Sequence, residues 1–290
     1  MSIMTTLALI GKGHWGTIYI NTVKSLKGIS IPDKYIFGRD YKENLTKKEL
    51  KKIGGIIVAS PSETHFEVAS YLLKQGFKSL LIEKPLTQKL SDAIKLQKLV
   101  KEKKAKCMVG HVQLYDPAYQ TMRRIARKKI GKINKIKYFG LKSPEVKGST
   151  VLKDWGPHPI YIFLDLTGEK PTKIKATPTK YDNIRLTLKF QSGITGVANI
   201  GTLYPRRRRE IEIIGERGKL KLNEFLNPRN LVFVDKTNNK TIIKFPTKNS
   251  PLANEVIEFA ELIKVNKKTR SPISQGVEVV KVIRQAERSI

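Results

Sequence analysis

The sequence contains one cysteine, Cys107, so no intrachain disulfide can form and a reducing compartment is expected. Histidine is also scarce: His14, His65, His111 and His158 are the whole set. They form no H-x-x-x-H pair and no cysteine cluster accompanies them, so no metal site is expected. A G-x-S-x-G elbow and a Walker lysine are both missing, which sets aside the nucleophile-elbow hydrolases and P-loop nucleotide hydrolysis. No apolar run approaches the roughly 20 residues that span a bilayer. Met1–Ile10 lacks a basic stretch and a cleavage site. A cytoplasmic protein with no membrane partner is expected.

Acid is the last shortage. Asp+Glu 25 stand against Lys+Arg 56, giving +31. Such an excess attracts polyanions in general. Most of the lysines are scattered, as at Lys42, Lys47, Lys101 and Lys103, and read as solvated surface. Only Arg206–Arg209 is dense, just before the apolar Ile211–Ile214. Nonspecific nucleic-acid binding at low salt would follow from the charge alone. No specific nucleic-acid partner is expected.

What is present is an ordered alternation. With 290 residues and 40% hydrophobic content, one large or two ordinary domains can be built. Apolar strand runs are read at Thr6–Ile10, Tyr35–Phe37, Ile56–Ala59, Leu80–Ile82 and Cys107–Val109. Helical spacing follows at Trp15–Leu26, from Pro61 or Ser62 to Leu73, and at Ser91–Lys103, with Ser91 or Asp92 as cap. Alternation of this kind predicts a parallel sheet. After Asp116-Pro117 the pattern changes. Helices are expected at Tyr119–Lys128 and Asp154–Leu166, and a strand at Lys135–Leu141. Seven strand runs then follow one another from Lys173 to Phe245, which predicts a largely antiparallel sheet. Helices Leu252–Val265 and Gln275–Ile290 close the chain. The expected class is α/β plus α+β. A Rossmann-type parallel-sheet domain covers 1–117 and an antiparallel-sheet domain covers 118–290.

Gly11-Lys12-Gly13-His14-Trp15-Gly16 lies between a strand and a helix. In G-x-G-x-x-G the first glycine makes the turn, the second admits a pyrophosphate, and the third lets the helix pack close. The free amides at the helix start favour the anion. A dinucleotide is the expected ligand. After the second strand stand Arg39 and Asp40. Arg39 with Lys12 suits NADP, whereas Asp40 suits the ribose hydroxyls of NAD.

Glu83-Lys84-Pro85 follows the fourth strand of this reading. Ligands of open α/β sheets bind at the carboxyl ends of strands, so Lys84 can reach a group reacting with the cofactor. Asp154 and His158 share a face if their segment is helical, as an acid–base pair requires. His14 is expected near cofactor phosphates and His65 in a local structural bond. His111, after the fifth strand, is expected near the cleft.

Gly11–Gly16, Ala59–His65, Glu83-Lys84-Pro85 and Asp154-x-x-x-His158 occur in the order seen in the Gfo/Idh/MocA oxidoreductases, which this chain resembles over nearly its whole length. The resemblance implies oxidation or reduction of a secondary hydroxyl on a sugar or cyclitol by NAD or NADP. At the matching positions, the cofactor would meet Gly11, Gly13, His14, Trp15, Gly16, Arg39 or Asp40, Ser60, Pro61 and Glu83. Lys84 would polarise the hydroxyl, His158 would take its proton, and Asp154 would hold substrate or His158. His111, Tyr115 and Arg206 would contact substrate. Val109–Ala118, Asp154–His158 and Leu203–Arg206 resemble the branch acting on nucleotide-linked sugars, although Asp116 stands where that branch often has His. The sheet domain would line the pocket and form contacts in a homo-oligomer, a dimer or tetramer. Two other readings stay open: a non-catalytic NAD(P)-binding regulator, and a basic nucleic-acid binder, which would need a concentrated cationic face.

Overall fold

A computed structural model describes residues 4–45, 47–49, 51–141, 150–180, 183–201, 208–224, 229–265 and 267–290. The chain forms two compact units. One is Met1–Tyr115 with Asn249–Val280, the other Asp116–Lys248 with Lys281–Ile290. The division at Tyr115 lies beside the expected boundary at 117. Asn249–Val280, read from the sequence with the second half, groups with the first.

The first unit holds a parallel sheet of β1 (Thr5–Ile10), β2 (Ile29–Ser30), β3 (Ile36–Phe37), β4 (Gly55–Val58), β5 (Ser79–Glu83) and β6 (Lys106–Gly110). The order is β2-β1-β4-β5-β6, with β3 also on β1. Successive residues Leu7–Ile10, Ile56–Val58 and Leu80–Ile82 are all buried, as strands covered on both faces must be. The helices are α1 (His14–Lys24), the short α2 (Tyr41–Asn44), α3 (His65–Gln75) and α4 (Leu90–Glu102). β2 was not expected, because two residues carry no periodicity. The cap expected at Ser91 or Asp92 is corrected: α4 begins at Leu90 after Lys89, with no side-chain cap, so both residues lie in its first turn.

Helix α8 (Pro251–Lys264) explains why the late segment joins this unit. Ser250 caps its start, accepting from the Ala253 amide at 3.1 Å. Lys106, at the start of β6, donates from Nζ to Leu262 O at 2.7 Å and Ile263 O at 3.3 Å. A cation thus answers the last carbonyls of the helix. Phe259 of α8 rests on Gly55, where a Cβ would come within 2.7 Å of the ring. Helix α9 (Ile273–Glu287) follows.

The second unit is an eight-stranded sheet of β7 (Ile133–Leu141), β8 (Lys173–Pro178), β9 (Ile184–Lys189), β10 (Thr195–Gly201), β11 (Arg208–Gly215), β12 (Gly218–Asn223), β13 (Asn230–Asp235) and β14 (Lys240–Ile243). Its order is β14-β13-β12-β11-β7-β10-β9-β8. The β7–β10 pair is parallel, and the other pairs are antiparallel, so the sheet is mixed. One face is apolar and buried, through Ile136, Leu188, Ile211, Ile213 and Leu220. Helices α5 (Pro117–Lys129), α6 (Val151–Asp154) and α7 (Pro157–Thr167) belong to this unit. Phe163 of α7 lies over Gly196 of β10, and a Cβ there would fall 2.5 Å from its ring.

The helix expected over Asp154–Leu166 is two helices, parted at Trp155-Gly156. The turn is tight: a Cβ on Gly156 would sit 2.2 Å from Leu152 O. Pro157 then opens α7 at its first position, where the missing N–H costs nothing. Asp116 caps α5 by accepting from the Ala118 amide at 2.9 Å, and its other oxygen pairs with Arg229. No described helix is long and apolar enough to cross a membrane.

Candidate active site

The glycine turn is built as a cradle. Gly11 leaves β1 with φ +119°, a conformation other L residues resist, and its N–H donates to Phe37 O at 2.9 Å. A Cβ there would meet Ala59 O at 2.3 Å. A Cβ on Gly16 would meet Gly11 O at 1.9 Å, so helix and turn touch backbone to backbone. Gly13 differs: nothing lies within 4 Å of its Cβ direction. It precedes α1 without a side-chain cap, and no acid occupies the first turn. The opening therefore lies where a pyrophosphate must approach, and the residues present fit a dinucleotide. His14 is exposed, and Trp15 is 37% exposed, beside this opening.

The two charges after β3 are arranged unequally. Asp40 turns into its own loop, where Oδ1 accepts from the Gly38 amide at 2.8 Å and Oδ2 from Asn44 Nδ2 at 3.1 Å. The backbone bond to Gly38 leads the causes that hold its carboxyl below the ordinary value, and Lys12 adds to them. Arg39 is exposed. The Lys12 side chain lies beside Gly38, within 3.8 Å of its Cβ direction.

Lys84 stands at the exit of β5, half-buried, and its backbone N–H donates to Glu83 Oε2 at 3.0 Å. His65 ties the neighbouring turn together. Its Nδ1 lies 2.9 Å from Pro85 O and its Nε2 lies 2.9 Å from Ser60 O. Burial pulls the pKa of His65 down. Ser60 Oγ is 2.7 Å from Thr64 Oγ1, and Pro61 is exposed next to it.

Glu83 is buried beneath Lys84. Tyr19 donates its hydroxyl to Glu83 Oε1 at 2.7 Å, and Glu255 Oε2 of α8 lies 3.4 Å from the same hydroxyl. Burial pushes the pKa of both carboxyls up, and for Glu255 the charge of Glu83 adds to it. One phenol carries one proton, which Glu83 receives. The 3.4 Å contact to Glu255 is the longer of the two. Tyr19 and Glu255 were not singled out from the sequence. Nothing near either residue marks it, because they meet across most of the chain.

His111 and Tyr115, expected against substrate, are both buried in the first unit. His111 Nδ1 lies 2.8 Å from Gln275 Oε1, and burial lowers its pKa to about 4. The Tyr115 hydroxyl is 2.7 Å from Ser271 Oγ and donates to Glu258 Oε1 at 3.2 Å. Arg206 and the Leu203–Arg206 segment lie outside the described residues.

In the second unit, half-buried Asp154 ends α6 and half-buried His158 lies in the first turn of α7. His158 Nδ1 is 2.9 Å from the hydroxyl of buried Tyr161. That partner was missed, although its i+3 spacing on one helix could have revealed it. Arg209 lies over the Trp155 ring at 5.4 Å and pairs with Glu224 at 3.4 Å. Among the described residues no group of three or more His, Cys, Asp or Glu could hold a metal ion.

A parallel sheet with an open glycine cradle and a strand-end lysine, together with a unit in which Asp154 and His158 stand on helices α6 and α7 beside a mixed eight-stranded sheet, defines a two-unit dinucleotide-binding protein. The GFO/IDH/MocA model described as an oxidoreductase family with an NAD-binding Rossmann fold matches residues 29–111, and the GFO/IDH/MocA C-terminal domain matches 119–221. The chain belongs to the Gfo/Idh/MocA oxidoreductase family, and its first unit is an NAD(P)-binding Rossmann domain. It is 36% identical over 81 residues to scyllo-inositol 2-dehydrogenase (NAD(+)) of Bacillus subtilis, covering 28% of this chain and 23% of that one. It is 23% identical over 185 residues to inositol 2-dehydrogenase of Rhizobium meliloti, covering 57% and 56%. The chain thus spans about a quarter and about half of these relatives. The structure of UDP-N-acetylglucosamine 3-dehydrogenase from Acidithiobacillus ferrooxidans superposes with a TM-score of 0.87 at 19% identity, over 99% of this chain and 98% of that one, and so shares the fold.

Proposed function

We propose that this protein is an oxidoreductase that uses NADP on a secondary hydroxyl of a cyclitol, a sugar or a nucleotide-linked sugar. The observation that carries this reading is Lys84. It stands half-buried at a strand exit of the Rossmann sheet, with its backbone held by Glu83 and the adjoining turn held by His65. The substrate class is supported by the relatives, two of them named for inositol and one for UDP-N-acetylglucosamine.

Bound NADP would supply two-electron exchange with an alcohol carbon. The residues of the chain bind, orient and manage one proton. Gly11, Gly13 and Gly16 with the start of α1 hold the pyrophosphate. Lys84 holds the reacting oxygen through its ammonium group. His158 takes the hydroxyl proton in the tautomer that donates Nδ1–H to Tyr161, which leaves the other ring nitrogen basic. Asp154 positions substrate or His158.

NADP is preferred over NAD because Asp40 is committed to the Gly38 amide, which leaves Arg39 and Lys12 to meet a 2′-phosphate. Calorimetric titration should give NADP the lower Kd by roughly 10- to 100-fold, the scale of charge-assisted bonds to phosphate. Arg39→Ala should remove most of that preference. Equal affinity for the two nucleotides would refute the assignment of Arg39.

The activity itself is tested by following nicotinamide absorbance across a panel of inositols, aldoses and UDP-sugars. Turnover of at least one is expected. Firm NADP binding without turnover of any panel member would favour the regulatory reading instead.

A further inference from the structure

The proposed reaction uses neither Tyr19 nor Glu255, yet both are fully buried against Glu83 inside the first unit. Glu83 is engaged on both oxygens. Its Oε1 accepts from Tyr19 at 2.7 Å and its Oε2 from the Lys84 amide at 3.0 Å. The next strand leaves room for it: Gly110 is the register partner of Glu83, and a Cβ there would come 3.1 Å from the carboxyl. Glu255 is placed differently. Its Oε2 lies 3.4 Å from the Tyr19 hydroxyl, and its Oε1 has no hydrogen-bond partner among the described residues.

The titratable groups facing Glu255 are Tyr19 from α1, Glu83 from β5, Tyr115 from the turn before α5, and Glu258 from α8 itself. Glu258 is satisfied elsewhere, by the Arg270 amide at 2.8 Å and the Thr269 hydroxyl at 2.9 Å. Lys106 of β6 is bonded to carbonyls at the far end of the helix. No described cation forms an ion pair with Glu255. A carboxylate in that place would be a buried charge with one long contact and no counter-ion, a heavily penalised state. Burial pushes both carboxyls towards the neutral form. Tyr19, the Lys84 charge and the Lys84 amide pull Glu83 back, whereas the charge of Glu83 pushes Glu255 further.

We propose that Glu83 and Glu255 hold one proton between them, kept on Glu255, and that Tyr19 and the neutral Glu255 are positioning residues for Lys84. The chain of action is short. Glu83 holds the Lys84 amide, Tyr19 holds Glu83, and a neutral Glu255 leaves Glu83 as the one buried charge at that phenol. Loss of the proton would set two carboxylates against one phenol and drive Glu83 from its place. The positioning half rests on the proposed reaction, in which Lys84 holds the reacting oxygen. The shared proton does not.

Two measurements need no turnover. The infrared spectrum of the parent at pH 7 should show the carbonyl band of a protonated carboxyl, and Glu255→Gln should remove it. Below the ordinary Glu value of about 4.3, Glu255 is neutral both folded and unfolded. Above it only the unfolded chain ionises, so the parent loses stability as pH rises until Glu255 ionises in the folded state. Gln cannot ionise. The Tm advantage of Glu255→Gln over the parent should therefore grow by at least about 4 °C from pH 5 to pH 8. Absence of the band, or a Tm difference constant with pH, would overturn the shared proton.

Turnover tests the positioning. Tyr19→Phe and Glu255→Ala should each lower kcat roughly 10-fold, with the Kd for NADP within about 3-fold of the parent. Glu255→Gln, which keeps the neutral shape, should restore kcat to within about 3-fold. If Glu255→Ala does not fold, Tyr19→Phe carries the comparison. Parent-like kcat in the variants that fold, with the infrared band present, would overturn the positioning and leave the shared proton standing. A parent with no turnover would overturn the proposed reaction and the positioning with it, while the band and the Tm series still decide the proton.

Discussion

Lys84→Ala and His158→Ala are each expected to lower kcat by roughly 10²- to 10⁴-fold, the scale of lost acid–base assistance. NADP affinity should stay within a few-fold of the parent. The reasoning separates two jobs. The Lys84 backbone N–H bonds to Glu83 and survives the substitution, so the turn is kept while the ammonium group is lost. In the proposed reaction His158 offers its ring to the substrate proton, and its Nδ1 lies 2.9 Å from the Tyr161 hydroxyl. Tyr161→Phe should therefore cost less, about 10-fold in kcat. Steady-state kinetics from pH 5 to 10, with calorimetry for the cofactor, separates these cases. Parent-like turnover in both alanine variants would remove Lys84 and His158 from the chemistry.

Gly16→Ala and Gly13→Ala should fail in opposite ways. At Gly16 the added carbon would sit 1.9 Å from Gly11 O, which is backbone and cannot step aside. A loss of more than about 3 kcal/mol is expected, at or above the upper end of overpacking, together with loss of cofactor binding. At Gly13 the added carbon meets nothing within 4 Å, and the backbone is extended, a shape alanine accepts. Stability should change by about 1 kcal/mol or less, a helix-cap effect. NADP affinity should nevertheless fall at least about 10-fold, because the methyl would occupy the approach of the pyrophosphate. Urea unfolding and cofactor titration on both variants check this. A Gly13→Ala protein that binds NADP normally would mean that the phosphates lie elsewhere.

The strands of the parallel sheet other than β2 were legible because each lies in an unbroken apolar run, and the glycine turn because its spacing follows one of them. Lys84 was legible from its place after such a run. The broken helix at Trp155-Gly156 was passed over because Asp154–Leu166 keeps an apolar face, although Gly156-Pro157 marks the break: Pro157 has no N–H to continue α6 and opens α7 instead. The parallel β7–β10 pair was hidden because the sequence places β8 and β9 between its members. Glu255 reads as one more acid on an amphipathic helix until Tyr19 and Glu83 are brought to it.

The return of Asn249–Val280 to the first unit bears on how the protein is made. As the chain leaves the ribosome, Met1–Tyr115 emerges with Tyr19, Glu83 and Gly55 still lacking the helix that covers them. That helix is synthesised only after the whole eight-stranded sheet. The nascent nucleotide-binding half must therefore wait with apolar and ionisable surface open to water, the condition under which holding chaperones are recruited.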